Sequence, residues 1–176
     1  MNFEGKVAVI TGSSAGIGAE AAKKITSMGG RVTINYSKSK EAAEEVAHEC
    51  SQLGESPIII KADIAIDEGC KYLIDSTYNE LKGINILINN AGRTKFADHS
   101  NLEALQRDDF ENILALNLNS NYELIKHARP HLAKNKKSSI VNISSVAGLR
   151  GLGSSVAYAA SKGALNSMTL ALSRSL

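Results

Sequence analysis

Five short runs rich in apolar and β-branched residues punctuate the chain, at Lys6–Thr11, Arg31–Tyr36, Pro57–Ala62, Ile84–Asn89 and Ser139–Ser144. Several are nearly continuous in Val and Ile, the pattern of strands buried on both faces. Between them, apolar positions recur at helical spacing. Ile17, Ala21, Ala22, Ile25 and Met28 predict one helix, stopped by Gly29-Gly30. A second is predicted over Lys40–Leu53 and closed by Gly54. A third covers Asp67–Leu81, with Asp67 as N-cap and Gly83 just past its end. A long fourth segment runs from Asp108 to His131, with Pro130 near its end, and a fifth from Ser155 to Leu176. Strict β-α alternation predicts an α/β fold, a parallel sheet with helices on both faces and right-handed crossovers. Without a repeat, a low-complexity tract or a linker, residues 1–176 are expected to form one domain, with Gly148–Ser155 as an internal loop. No strand follows the fifth, which predicts an edge of unpaired backbone groups there.

Composition narrows the function classes. The 176 residues are 43% hydrophobic and 22% charged, an ordinary globular profile. A net charge of +2 supplies no global field for nucleic acid. No apolar run approaches the ~20 residues of a membrane span, and Met1–Lys6 passes straight into Val7–Ile10, so no signal peptide is expected. Cys50 and Cys70 fall in predicted helices without a CxxC or Cys/His spacing. Neither a disulfide scaffold nor a structural metal site is therefore expected, and a reducing cytoplasm fits.

Candidate chemistry begins between the first strand and first helix, at Thr11-Gly12-Ser13-Ser14-Ala15-Gly16-Ile17-Gly18. A glycine-rich turn opening a helix lets backbone N–H groups approach a pyrophosphate, whose charge the helix dipole favours. An ordinary βα turn would also hold glycines. The position after the first strand favours the dinucleotide alternative. The spacing is Gly-x3-Gly-x-Gly, and no Gly-Lys-Ser/Thr follows, which excludes a nucleotide-hydrolysing phosphate loop.

Tyr158 and Lys162 lie four apart at the start of the last helix, so both face one side. A nearby ammonium would favour phenolate over phenol and suit an acid/base group. The bare pattern is uninformative, because Tyr36/Lys40, Tyr78/Lys82 and Tyr122/Lys126 share it. Context separates them: only Tyr158 follows a strand end through a Gly/Ser loop, and open parallel sheets bind ligands beyond the carboxyl ends of their strands. Ser144 and Ser145 sit at that same end.

With Thr11-Gly-x3-Gly-x-Gly18, Asn89-Asn90-Ala91-Gly92, Asn117, Ser144-Ser145 and Tyr158-x3-Lys162 in this order, the chain resembles a short-chain dehydrogenase/reductase from Lys6 onward. It is most similar to the branch of 3-oxoacyl-carrier-protein reductases and related sugar and alcohol dehydrogenases. The resemblance implies a Rossmann-type doubly wound sheet in three layers, α/β/α, with strand order 3-2-1-4-5. It implies hydride transfer between a nicotinamide cofactor and a small carbonyl or alcohol. Ser145, with Ser144 the weaker candidate, would hold the substrate oxygen, and Tyr158 would exchange the proton. Lys162 would lower the tyrosine pKa and bind ribose, and Asn117 would help hold a water joining the lysine to solvent. Gly12, Ser14, Gly16, Ile17 and Gly18 would carry the pyrophosphate, Asn90, Ala91 and Gly92 would flank the adenine ribose, and Asp63 and Ile64 would contact adenine.

At the end of the second strand, Asn35-Tyr36-Ser37-Lys38-Ser39-Lys40 has no carboxylate for a ribose 2′-hydroxyl. Ser37 and Lys38, with Lys40 nearby, suit a 2′-phosphate instead, so NADP is expected ahead of NAD. Ala15 argues the other way, since many NADP-preferring relatives carry Arg or Lys there. The resemblance also implies roughly 250 residues for the family domain. Two further strands, a Pro-Gly turn touching the nicotinamide and a substrate lid are then expected to be missing. A catalytically weak nucleotide-binding fragment, or an interaction protein pairing with longer relatives, are therefore alternatives to an enzyme. Pairing into a homodimer or homotetramer is expected through the 108–131 and 155–176 helices. Lys134, Lys136 and Lys137 form a basic patch able to meet an acidic carrier protein or to lie in a solvated turn.

Overall fold

The computed structural model describes residues 2–176. Its strands are β1 (Val7–Ile10), β2 (Arg31–Tyr36), β3 (Ile58–Lys61), β4 (Ile86–Asn89) and β5 (Ser139–Asn142). All pair in parallel in the order β3-β2-β1-β4-β5, the doubly wound arrangement expected. Central β1 sets the register, with Val9 opposite Thr33 on one side and Leu87 on the other.

Alternate strand residues feed two cores, because successive side chains point to opposite faces. Ala8, Ile10, Val32 and Ile34 pack against α1 (Gly16–Ser27) and α2 (Lys40–Ser51). Val9, Ile60 and Leu87 pack against α3 (Asp67–Leu81) and α5 (Ser120–Leu132). In α2 the buried residues Ala43, Val46, Ala47 and Cys50 follow the spacing of one helical face. Both cysteines are buried free thiols, and burial pushes Cys70 up to about 12, which removes it as a nucleophile.

The structure corrects several local expectations. Helix α3 starts at Asp67 with Ile66 at the cap position, so Asp67 is not the N-cap. Its Oδ1 lies 2.7 Å from His127 Nε2, a hydrogen bond that ties α3 to α5 and holds the carboxyl below its usual range. The left-handed residue ending α3 is Lys82 (φ 56), one position before Gly83. The fourth helical segment is α4 (Arg107–Leu114), a π-helical turn at Ala115–Asn119, then α5, which contains Pro130. Gly148–Ser155 is not all loop: a single turn, α6 (Ala147–Arg150), closes on Gly151 at φ +66. The last helix, α7 (Val156–Leu172), stops four residues before the expected end. It packs on α6, α4 and the π turn.

Strand β5 pairs with β4 alone, leaving the predicted open edge, where Val141 is 42% exposed. A cleft of about 560 Å³ lies beside that edge, lined by Ile140, Thr169, Leu172 and Leu176. Among the described residues, no helix is long and apolar enough to cross a membrane.

Candidate active site

The glycine turn is built by steric necessity. Gly12 (φ +60) and Gly16 (φ +57) occupy the left-handed region that side chains disfavour. A Cβ on Gly12 would stand 3.0 Å from Ala91, and one on Gly18 would stand 2.6 Å from Asn90 Nδ2. At Gly16 a Cβ would meet nothing within 4 Å, so this edge of the turn is open. The Thr11 hydroxyl accepts from the N–H groups of Asn90 and Ala91, both at 3.0 Å. Asn90 Nδ2 donates to Thr11 O at 2.9 Å and Gly12 O at 3.2 Å. Segment 90–92 is thereby clamped on the turn.

Helix α1 begins without a local partner for its first amides. Ala15 at its cap offers no side-chain acceptor, and its first turn has no acidic residue. The other long helices have one or both: Glu41 in α2, Asp67 and Glu68 in α3, a Gln106/Asp109 capping box in α4, Glu123 in α5 and the Ser155 side chain for α7. Unpaired N–H groups at a helix start, with the positive end of its dipole, suit an external anion.

A cleft of about 370 Å³ opens at the carboxyl ends of the strands. Gly12 and Ser14 line it from the turn, Ser37 and Lys38 from the end of β2, and Asp63 and Ile64 from the end of β3. Asn90, Ala91 and Gly92 line it from the end of β4, with Arg93 and Leu116 beyond. Gly16, Ile17 and Gly18 lie outside this lining, and Ile17 is exposed. Lys40 turns away to pair with Glu44 at 3.0 Å, which leaves Lys38 as the lysine lining the β2 end.

Gly92 joins this cleft to the expected chemistry. A Cβ there would lie 3.3 Å from Asn117 Oδ1 and 3.7 Å from Lys162 Nζ. Lys162 is only 4% exposed, and burial holds its ammonium below the ordinary 10.5. One of its N–H groups donates to Ile143 O at 2.7 Å, and its Nζ stands 5.8 Å from the centre of the Tyr158 ring. The Ser144 hydroxyl is spent on Lys162 O at 3.3 Å. Ser145 Oγ accepts from Ala147 N–H at 3.1 Å, so its own proton has no protein partner in that bond. Asn117 sits in the π turn, a departure from regular helix that recurs at functional sites. Its Oδ1 accepts from Arg93 N–H at 2.8 Å, and its Nδ2 donates to Arg93 O at 2.9 Å and Ser161 Oγ at 3.0 Å.

The other three Tyr-x3-Lys pairs are spent elsewhere. Tyr78 stacks on His131 at 4.1 Å with Lys134 over its ring at 5.0 Å. Lys126 pairs with Glu123 beneath an exposed Tyr122, and Tyr36 is buried in the core on the α1/α2 side.

Two residues that sequence reasoning passed over organise the site. Asn35 Oδ1 accepts from Gly12 N–H at 3.3 Å, and Asn35 Nδ2 donates to Ala62 O at 3.2 Å, tying the glycine turn to the ends of β2 and β3. A polar residue inside the run Val32-Thr33-Ile34-Asn35-Tyr36 was a signal available in the chain. Ser161, which bridges Asn117 to Tyr158 O at 2.7 Å, had no such signal.

Comparison with known proteins gives a consistent picture. The short chain dehydrogenase family matches residues 6–176. The 3-oxoacyl-acyl-carrier-protein reductase FabG of Staphylococcus aureus is 30% identical over 97% of this chain, which spans 68% of that relative. A short chain dehydrogenase from Burkholderia cenocepacia J2315, solved in complex with NADP, superposes with a TM-score of 0.92 at 34% identity, covering 100% of this chain and 70% of its own. An NAD+-bound xylitol dehydrogenase superposes with a TM-score of 0.88 at 26% identity, covering 96% of this chain and 64% of its own.

Proposed function

The chain belongs to the short-chain dehydrogenase/reductase family, and on that premise we propose that it transfers a hydride between NADP(H) and a small carbonyl/alcohol pair. The observation that carries this is Gly92, whose Cα face borders both the nucleotide-sized cleft and the Asn117–Lys162 pair. The residues fit a dinucleotide. The uncapped start of α1 and the open side of Gly16 receive the pyrophosphate, while Asn90–Gly92, Asp63 and Ile64 line the adenosine side. Ser37 and Lys38 favour a 2′-phosphate, because no carboxylate lines the cleft from the end of β2.

When bound, the cofactor supplies or accepts the hydride. Ser145 O–H donates a hydrogen bond to the substrate oxygen and keeps its proton. Tyr158 gives its phenolic proton to that oxygen during reduction and takes it back during oxidation. Lys162 has two N–H donors left beyond Ile143 O for the cofactor ribose, and its charge favours removal of the tyrosine proton. Asn117 O, which accepts from Asn121 Nδ2 at 3.0 Å, holds the water that links Lys162 to solvent.

The test is titration of the folded chain with NADPH and NADH, read by nicotinamide fluorescence, followed by turnover on a panel of small aldehydes and ketones. The chain has no tryptophan to interfere with that signal. NADPH binding ahead of NADH, with turnover, supports the proposal. Binding without turnover moves the chain to a nucleotide-binding role, and no binding by folded protein overturns the cofactor assignment.

Lys162→Ala is expected to weaken NADPH binding about tenfold and to lower turnover further, since one ribose contact and the charge beside Tyr158 are lost together. Loss of rate with unchanged affinity removes the ribose role. The same ammonium gives a pH signature. Its contribution to binding is present below its folded pKa and disappears as pH rises through it, so NADPH affinity should decline starting below 10.5. An affinity flat up to that pH counts against the contact.

The α4–α5 segment and α7 are the proposed pairing surfaces for a homodimer or homotetramer. Tyr122 and Leu170 are exposed there, at 49% and 65%. Sedimentation of the chain at micromolar concentration should show a dimer or larger; a clean monomer removes this interface.

A further inference from the structure

A ring of hydrogen bonds closes on the peptide of Tyr158, passing through Asn117 and through three residues given no catalytic role above, Ser155, Ser161 and Thr94. The Tyr158 N–H donates to Ser155 Oγ at 3.3 Å, and Tyr158 O accepts from Ser161 Oγ at 2.7 Å. Ser161 accepts from Asn117 Nδ2 at 3.0 Å, and Asn117 holds both backbone groups of Arg93. The next residue, Thr94, completes the ring. Its Oγ1 lies 2.5 Å from Ser154 Oγ and 3.5 Å from Ser155 Oγ. The Ala97 N–H donates to Ser154 O at 2.9 Å, a second stitch between the same two loops.

We propose that Thr94 is a positioning residue for Tyr158. It fastens the loop after β4 to the cap of α7, so that the helix start carrying the phenol keeps a fixed place relative to Asn117 and Gly92. The physical need is plain. Ser155 is fully buried and caps α7 three residues before Tyr158, yet the preceding Gly151–Ser154 stretch includes two left-handed glycines, Gly151 and Gly153, and no regular structure. Without an external anchor, that stretch leaves the cap free to shift. Thr94 reaches across from the opposite side of the site and supplies the anchor through a side chain that is partly buried. Displacement of a reacting group by about 1 Å costs up to about a hundredfold in rate. The catalytic part of this proposal rests on the oxidoreductase function proposed above; the anchoring part does not.

The test uses the full chain with Thr94→Val, which keeps the shape and removes the hydroxyl, and Thr94→Ser, which keeps the hydroxyl. Amide hydrogen exchange is read at Tyr158 and Ala159, with Val9 in the central strand as the reference, and kcat and KM are measured where the parent turns over. Thr94→Val should speed exchange at Tyr158 and Ala159 about tenfold, leave Val9 unchanged, and lower kcat about tenfold at constant KM for NADPH. Thr94→Ser should return both readouts toward the parent. Ser154→Ala removes the same bond from the other side and should reproduce the exchange change. Unchanged exchange at Tyr158 in Thr94→Val overturns the anchor. Equal acceleration at Val9 also overturns it, because the residue then merely stabilises the fold. Altered exchange with unchanged kcat overturns the catalytic part. A parent that shows no turnover refutes the proposed function, and the exchange result still decides the anchor.

Discussion

Tyr158→Phe is expected to abolish turnover, by about 10²–10⁴-fold, while leaving NADPH affinity within about twofold. The substitution removes one hydroxyl and nothing else. The backbone bonds that hold this residue, from its N–H to Ser155 Oγ and from Ser161 Oγ to its carbonyl, do not involve the phenol. Lys162 keeps its bond to Ile143 O, so the group assigned to the ribose stays in place. The expected kinetic signature is a lost kcat with an intact binding curve. Retention of most activity would show that another group exchanges the proton. The neighbouring hydroxyls are poor substitutes: Ser144 is bonded to Lys162 O, and Ser161 to Tyr158 O.

Gly16→Val is expected to eliminate measurable dinucleotide binding, a loss of at least about a hundredfold or ~2.7 kcal/mol. A Cβ at Gly16 meets no protein atom within 4 Å, so the two valine methyl groups would project into the space assigned to the pyrophosphate. The φ of +57 adds a separate cost, about 1–2 kcal/mol of fold stability for a side chain in the left-handed region. Gly16→Ala separates the two effects, since it carries much of the backbone strain and little of the bulk. Thermal unfolding should report the strain in both variants, and cofactor titration should report the bulk chiefly in valine. Full-strength binding by a folded Gly16→Val protein would remove the glycine turn from the cofactor site.

The sheet was legible because its signals are local. Five apolar runs and the helical spacing between them are properties of a few consecutive residues, and burial of both sheet faces leaves continuous Val/Ile stretches such as Val7–Ile10. The ends of elements were less legible. Lys82 rather than Gly83 takes the left-handed turn after α3, and Asp67 gives its carboxylate to His127 rather than to its own helix. The second outcome depends on what a neighbouring element offers. The π turn at Asn117 escaped the periodicity argument, which read 108–131 as one continuous helical segment.

The candidate residues were named by motif and order along the chain, from Gly12 through Asn90 to Tyr158 and Lys162. Their division of labour was decided by folding. Four tyrosines precede a lysine by four residues, and the chain alone separates them only by context; burial beneath Ile143 O brings Lys162 over the Tyr158 ring, while Lys40 and Lys126 are drawn to Glu44 and Glu123. Ser161 and Thr94 became visible only once residues tens of positions apart stood within hydrogen-bond reach, and Asn35, polar inside an apolar run, took its role from the same kind of contact. Element type follows from short-range pattern, and the turn glycines from steric limits; strand order and the roles given to Asn117, Ser145, Tyr158 and Lys162 are what the family resemblance implies. Which hydroxyl stays free, which lysine is buried and which loops are stitched together follow from long-range contacts, because a hydrogen bond is set by a distance in space that sequence separation does not determine.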